Sequence, residues 1–380
     1  MDANRFVRKI QKPSVILGGV IAIAVVLRVA ILDRWSLWLD EIYTVRFRGT
    51  ANLQTVLYDP YDPHPPLYFL LVKGWTYLFG TDPTVVRSLS LIFSVASVLC
   101  IYFLTRRIYD RWTGLLASTL FAIVPVHIHF GEIARMYSLL VFLTIISTYF
   151  YVRLWERRTG ITVLYVLTTS ALMYTHVYGI FVVAGQFLHY LLEVKTRDGK
   201  PGWKRGVLIY VSIGLIYLPW GIVLSSQVFD LFTPSTGQSP SVGWIPKPSF
   251  KLVIDAFETF VGKPWLNPVS AGSNLTYRLV QLNLVIYLIA LGNSLTTYDT
   301  EDWDMNYKSL LTITFLTPIV LPLIFSVFFK PIFYPRFVLP ATVPLTVMVA
   351  HGLRAIPYRY TDYGFVAVLI VSSLILTASY

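Results

Sequence analysis

Two adjacent carboxylates, Asp40 and Glu41, stand in the stretch WSLWLDEIYTV, directly after the first long apolar run. Around them lie Trp35, Leu37, Trp38, Leu39, Ile42 and Tyr43. Aromatic and aliphatic side chains of this kind settle at a membrane–water boundary. A carboxylate in such a water-poor belt is a stronger proton acceptor, which suits a general base. The ordinary alternative is a solvated acidic pair at the start of a short interfacial helix, favoured there by the helix dipole.

Other polar residues sit at similar junctions. In YDPHPPLY, Pro65 and Pro66 lead His64 into the helix that follows, and Asp59, Asp62 and His64 could help to hold a cation. In HIHFGEIARMYSLL, Glu132 and Arg135 are three apart. They either pair on one helical turn, or Glu132 faces Asp40 across a cavity while Arg135 takes an anion. His127 and His129 are two apart, poor spacing for one helical face, and read as structural. Arg87 and Arg336 each open an apolar run, the second beside Tyr334 in FYPRFVLPATVP. A guanidinium there either binds a phosphate group or snorkels to lipid headgroups. Pro335, Pro340 and Pro344 are expected to break the helix around Arg336 and turn backbone polar groups into a cavity.

The elements that must position these residues are helices in a bilayer. The chain is 55% hydrophobic and only 13% charged, against roughly a quarter charged in a soluble domain. Apolar runs at about 15–32, 86–105, 113–130, 137–152, 161–177, 179–193, 206–224, 277–297, 309–329, 337–353 and 364–380 predict an all-α polytopic membrane protein of about eleven spans in a single domain, 1–380. The net charge of +11 collects in short loops between these runs. That is a topology signal rather than a nucleic-acid surface. The one cysteine, Cys100, lies inside an apolar run, so no disulfide or zinc framework is available. The first apolar run is too long for a signal peptide, and no small-residue cleavage site follows it. It reads as a retained helix with a cytoplasmic N-terminus. The last apolar run either stops at the outer surface or is followed by further sequence.

Sidedness follows from the arginines. TRRIYDR, RLWERR, KTRDGKPGWKR and HGLRAIPYRY read as cytoplasmic. An even number of crossings must separate the N-terminus from TRRIYDR, and 15–32 with 86–105 already supply two. The apolar segment 66–80 therefore should not cross; it reads as an interfacial helix. Segments 33–85 and 225–276 become the two long outer loops, the second carrying a helical stretch near Lys251–Val261 that could cover an outer cavity. LDEIY, DPHPPLY, GEIARMY, YTHVYG and FYPRF then share the outer face.

An early outer DE pair, HPPLYFLL, an arginine opening the next span, ARMYSLL, and a late YPRFVLPA, in this order, resemble the GT-C glycosyltransferases. The nearest groups are the protein O-mannosyltransferases and their aminoarabinose-transferring relatives. The resemblance covers roughly residues 14–155 and the YPRFVLP segment. It implies a many-spanned fold with interfacial helices in the first outer loop, in the plasma membrane of a prokaryote, with the active site outside. It implies a sugar donor carried on polyprenyl or dolichyl phosphate, mannose or a similar hexose. The acceptor would be a hydroxyl of a protein or lipid-linked glycan, and membrane lipids are the other partner; nucleic acid is not. It implies Asp40 as base, with Glu41 at its side and Glu132 as second acid, supported by His64. Arg87, Arg135, Arg336 and Tyr334 would hold the donor phosphate. Any divalent metal ion would fall to Glu41, His64 and Glu132. A transporter or flippase of lipid-linked sugars is the alternative; it predicts more charge at the bilayer midplane than this chain carries.

Overall fold

The computed structural model describes residues 12–33, 36–57, 62–156, 158–196, 202–232, 244–263, 274–297, 305–357 and 359–378. Among these residues all regular secondary structure is helical. A bilayer demands this, because each backbone amide must find its partner without water.

Helix α1 (Pro13–Val29) opens on a proline, whose missing amide is not needed in a first turn. A short stack follows: α2 (Leu39–Ile42) runs into a π-helical segment (Tyr43–Gly49), then come α3 (Leu53–Leu57) and α4 (Leu67–Phe79). Helix α4 buries Tyr68, Phe69, Val72 and Thr76 and exposes Tyr77, Leu78 and Phe79. Its 13 residues reach only ~20 Å, against ~30 Å of hydrocarbon.

The long α5 (Pro83–Ile108) is the central helix, packed against α1, α4, α6 (Arg111–Ile123), α7 (Pro125–Glu132) and α8 (Tyr137–Arg153). Its buried Ser90, Ser94 and Ser97 are small enough for neighbours to come close. At its far end the chain reverses within two residues. Asp110 caps α6 by accepting from the amides of Trp112 (2.7 Å) and Thr113 (3.2 Å). Arg28 is fully buried and staples α1 to its neighbours. It donates to Ser94 Oγ on α5 (2.7 Å) and to the Ala122 carbonyl on α6 (3.0 Å).

Here the structure departs from the single run expected over 113–130. It is two helices, α6 and α7, bent by 58°. Pro125 offers no amide and pushes Val124 to an extended backbone (φ −63°, ψ 125°). The bend carries the α7–α8 junction back over α5, where the candidate site lies.

The remaining helices are α9 (Thr159–Met173), α10 (Gly179–Thr196), α11 (Trp203–Phe232), α12 (Phe250–Phe260), α13 (Asn274–Thr296), α14 (Tyr307–Phe328), α15 (Thr342–Arg354) and α16 (Arg359–Ala378). Gly352 lets α15 meet α13, since a Cβ there would overlap the Ala290 carbonyl. The expected helix near 251–261 is present as α12. Lys263, just past its end, folds its ammonium back to Asp255 (2.6 Å) and Glu258 (2.7 Å), and Glu258 also accepts from Gln281 on α13 (2.9 Å). Pro335 lies in a non-helical stretch between α14 and a 3₁₀ turn, Leu339–Ala341. Pro340 and Pro344 break nothing: they sit in the first turns of the 3₁₀ segment and of α15.

Among the described residues, four helices are long and apolar enough to cross a membrane: Pro83–Ile108, Trp203–Phe229, Asn274–Thr296 and Tyr307–Phe328. The bent pair α6–α7 makes a fifth, and several further apolar helices are shorter. Helix length thus falls short of establishing about eleven spans. Outward-facing leucines such as Leu208, Leu215 and Leu218 on α11 suit contact with lipid.

Candidate active site

The acidic pair divides into two unlike residues. Glu41 is 1% exposed, whereas the Asp40 side chain is 31% exposed. They point apart because neighbours on a helix are about 100° apart around its axis. Glu41 Oε1 accepts from Arg87 Nε (2.9 Å) and the Ala134 amide (2.9 Å). Its Oε2 accepts from Arg87 Nη2 (2.7 Å) and the Trp38 amide (3.2 Å). All four lone-pair positions of the carboxylate are therefore used. Arg87 also donates to the carbonyls of Leu32 (3.0 Å) and Ser36 (3.1 Å). Expected as a phosphate ligand, Arg87 instead clasps Glu41. Together they lock the start of α5, the approach to α2 and the α7–α8 junction into one piece.

Asp40 faces the other way, toward Arg336, whose Nη1 donates to Asp40 Oδ2 at 3.3 Å. The Arg336 guanidinium lies among aromatic faces: Trp244 at 4.8 Å, Phe337 at 5.5 Å, Tyr334 at 5.6 Å and Tyr137 at 6.0 Å. Such a cage favours a cation while leaving its edge N–H groups available. Arg336 Nε is buried without a hydrogen-bond partner. Tyr334 contributes its ring to this cage and stacks edge-on to Trp244 at 5.0 Å.

Arg135 approaches from the α7–α8 junction. Its Nη1 donates to Thr44 Oγ1 (3.1 Å), and Thr44 Oγ1 donates to the Asp40 carbonyl (2.9 Å). Arg135 is 5% exposed and its Nε has no hydrogen-bond partner. Glu132 does not share its helical turn. Helix α7 ends at Glu132, Ile133 is extended, and the Arg135 amide bonds back to the Ile133 carbonyl. Glu132 lies within electrostatic reach of Arg28 and Arg87.

His64 sits beside this group. Its Nδ1 is paired with Asp62 Oδ1, which also accepts the His64 amide (3.1 Å). The Asp62 carbonyl is tied to Gln227 Nε2 (3.3 Å). Burial lowers the proton affinity of the His64 ring; Asp62 works against that, while Arg135 and Arg336 add to it. The ring meets that of His176 edge-on at 5.3 Å. The residues that sequence reasoning left without a role are Thr44, Tyr137, His176 and Trp244. Only His176, a polar side chain in YTHVYG beside an apolar run, carried a visible signal.

Asp59 and Trp35 lie outside the described residues. Among the described residues no three of His, Cys, Asp and Glu are grouped to hold a metal ion. Glu41 does not fit as a ligand, because its oxygens are saturated by N–H donors. His127 and His129 are buried, as expected of structural residues, and His127 stacks on Phe121 at 3.7 Å.

Residues 63–222 match the family model for dolichyl-phosphate-mannose-protein mannosyltransferase. That range holds His64, Arg87, Glu132, Arg135 and His176, while Asp40, Glu41 and Arg336 fall outside it. No curated protein matches the chain by sequence. Among solved structures, the fold is similar to that of ArnT from Cupriavidus metallidurans in the apo state, with TM-score 0.61 and 14% identity over 91% of this chain and 60% of that one. The same enzyme bound to undecaprenyl phosphate gives TM-score 0.60 at 15% identity, covering 91% of this chain and 61% of that one. The archaeal oligosaccharyltransferase AglB from Archaeoglobus fulgidus, in complex with an inhibitory peptide and a dolichol-phosphate, gives TM-score 0.59 at 15% identity, covering 97% of this chain and 56% of that one. The chain thus spans well under two thirds of the length of either relative.

Proposed function

On the premise of the GT-C fold that the chain has, we propose that it is a membrane glycosyltransferase. It moves a hexose, mannose first among them, from a polyprenyl or dolichyl phosphate to a hydroxyl of a protein or lipid-linked glycan. The observation that carries this reading is the split acidic pair. Glu41 is saturated by its own protein, while Asp40 is accessible and 3.3 Å from a caged arginine with a spare donor. The matched family model and the polyprenyl-phosphate complex of a fold relative support the donor class.

The chemistry needs one base and a cradle for an anion. Asp40 takes the proton from the acceptor hydroxyl as its oxygen attacks the anomeric carbon. The bond from that carbon to the phosphate oxygen breaks, and its electron pair leaves with the lipid phosphate. One displacement inverts the anomeric centre. The leaving phosphate is already a stable anion, so a second carboxyl acting as acid is not required, unlike in glycoside hydrolysis. Arg336 and Arg135 stabilise the charge that develops on it. Glu41 and Arg87 act only by holding α2 and α5 in place.

In this reading about eleven helices cross a prokaryotic plasma membrane, the shorter apolar ones included. The N-terminus is cytoplasmic, the site faces outward and α4 lies in the interface. Arg28 argues against transport: its buried charge bonds three helices together rather than lining a path.

The test is transfer of labelled mannose from a polyprenyl-phosphate donor in proteoliposomes. Wild type should be active and a folded Asp40→Asn variant nearly silent. A variant as active as wild type would remove Asp40 as the base.

A further inference from the structure

Three nitrogens around Tyr137 are buried without a hydrogen-bond partner: Arg135 Nε, Arg336 Nε and His176 Nε2. The His176 ring is 6.1 Å from that of Tyr137 and 5.3 Å from that of Phe337, two of the four rings that border Arg336. Arg135 and Arg336 both lie within electrostatic reach of it.

The tautomer of His176 is set by its own loop. The Tyr178 amide donates to His176 Nδ1 at 3.1 Å. A nitrogen accepting a hydrogen bond carries no proton, so in the neutral ring the proton is on Nε2. Nε2 is then a donor, in a residue only 3% exposed. The loop is held against the Arg336 segment, because Tyr178 Oη donates to the Ile332 carbonyl at 2.7 Å.

A buried donor with no acceptor is unfavourable, and such groups are rare unless a ligand or water completes them. Here three gather that can only donate, and the orphaned group among them able to accept, the Tyr137 hydroxyl, cannot serve all three. The missing partner must therefore be rich in acceptors and, facing two arginines, anionic. We propose that His176 Nε2–H is the neutral third donor, with Arg135 and Arg336, to the phosphate of the lipid carrier. This rests on the transferase reading above and extends it. A single displacement places the attacking hydroxyl and the departing phosphate on opposite sides of the anomeric carbon. Asp40 and His176 meet Arg336 through different partners, Asp40 by a direct hydrogen bond and His176 across the rings of Tyr137 and Phe337.

Binding of undecaprenyl phosphate to the full chain in detergent, with inorganic phosphate as a separate probe, tests the role. His176→Asn retains an acceptor for the Tyr178 amide but loses the ε donor. His176→Phe retains the packed ring and loses both nitrogens. His176→Gln restores a donor near the ε position. The expected result is affinity for undecaprenyl phosphate weakened about tenfold or more in Asn and Phe, and within about threefold of wild type in Gln. Whichever of the first two variants folds decides the point. Wild-type affinity in a folded Asn or Phe variant, or a Gln variant as weak as they are, overturns the proposal. Competition by millimolar inorganic phosphate, lost in the same variants, would assign the site to free phosphate and overturn the lipid assignment. Failure of the transferase reading shows separately, as wild-type protein that transfers no labelled sugar in the proteoliposome assay.

Discussion

At the scale of single residues, two neighbouring carboxylates are placed in opposite ways, one saturated and buried, the other accessible. Asp40 forms a partly exposed pair with Arg336, of a kind worth about 0–1 kcal/mol. Asp40→Asn should therefore leave the unfolding temperature nearly unchanged and lower turnover by about 10²–10⁴-fold. Glu41 and Arg87 are a buried, doubly bonded pair. Removing one partner leaves the other charge buried and alone. Arg87→Met should destabilise the protein by about 3–5 kcal/mol, seen as a lowered thermal midpoint before any assay of activity. A variant that melts like wild type would mean that the clasp is dispensable. The acidic pair itself was legible in the sequence, but its division into a buried, saturated carboxylate and an exposed one was not. Three of the four bonds that saturate Glu41 come from residues 46 and 93 positions away, and no spacing rule reaches that far. For the same reason Arg87, an arginine at a span entrance, read as a phosphate ligand.

At the scale of elements, hydropathy located most helices because each apolar run has one long way to satisfy its backbone. It failed where a run contains a break. The stretch 113–130 reads as one apolar run, and Pro125 marks the 58° bend inside it. For α4 hydropathy alone is ambiguous, and charge counting predicts that it does not cross. The 13-residue helix lies with one face on the protein and Tyr77 88% exposed on the other. A cysteine at Tyr77, in a chain otherwise free of reactive thiols through Cys100→Ala, should react with a membrane-impermeant maleimide added to intact cells. Labelling only after the cytoplasmic side is opened would place α4 on the wrong surface. His176 escaped sequence reasoning for a different reason. Its role depends on a backbone amide two residues on and on rings from two other segments, which become neighbours only when α8, α10 and the 329–338 stretch come together.

At the scale of the whole molecule, the candidate site is assembled from five distant segments carrying Asp40, Asp62 and His64, Arg135 and Tyr137, His176, and Arg336. Packing them together crowds positive charge around a histidine, which ties the fold to pH. His64 is faced by Asp62, His176, Arg135 and Arg336. Burial first, and then the two arginines, hold its ring below the usual histidine value of 6.5, although Asp62 partly offsets them. In the unfolded chain the same ring takes a proton near pH 6.5. Below that pH the unfolded state binds more protons than the folded one, so stability falls as the pH falls. The loss begins near 6.5 and ends once the folded ring is itself protonated. One such group contributes at most about 1.4 kcal/mol per pH unit. Thermal midpoints of the purified protein measured from pH 7.5 to pH 4.5 should decline, and the decline should be shallower in His64→Gln, which cannot take up that proton. Equal slopes in the two proteins would show that the ring holds its ordinary proton affinity in the fold. Ligand binding gives a second, independent reading of the same ring, because a proton on His64 adds positive charge beside Arg135 and Arg336 and strengthens the hold on a phosphate. Once the folded ring takes its proton, at the acid end of the range in which the fold weakens, undecaprenyl phosphate should bind more tightly to wild type than to His64→Gln.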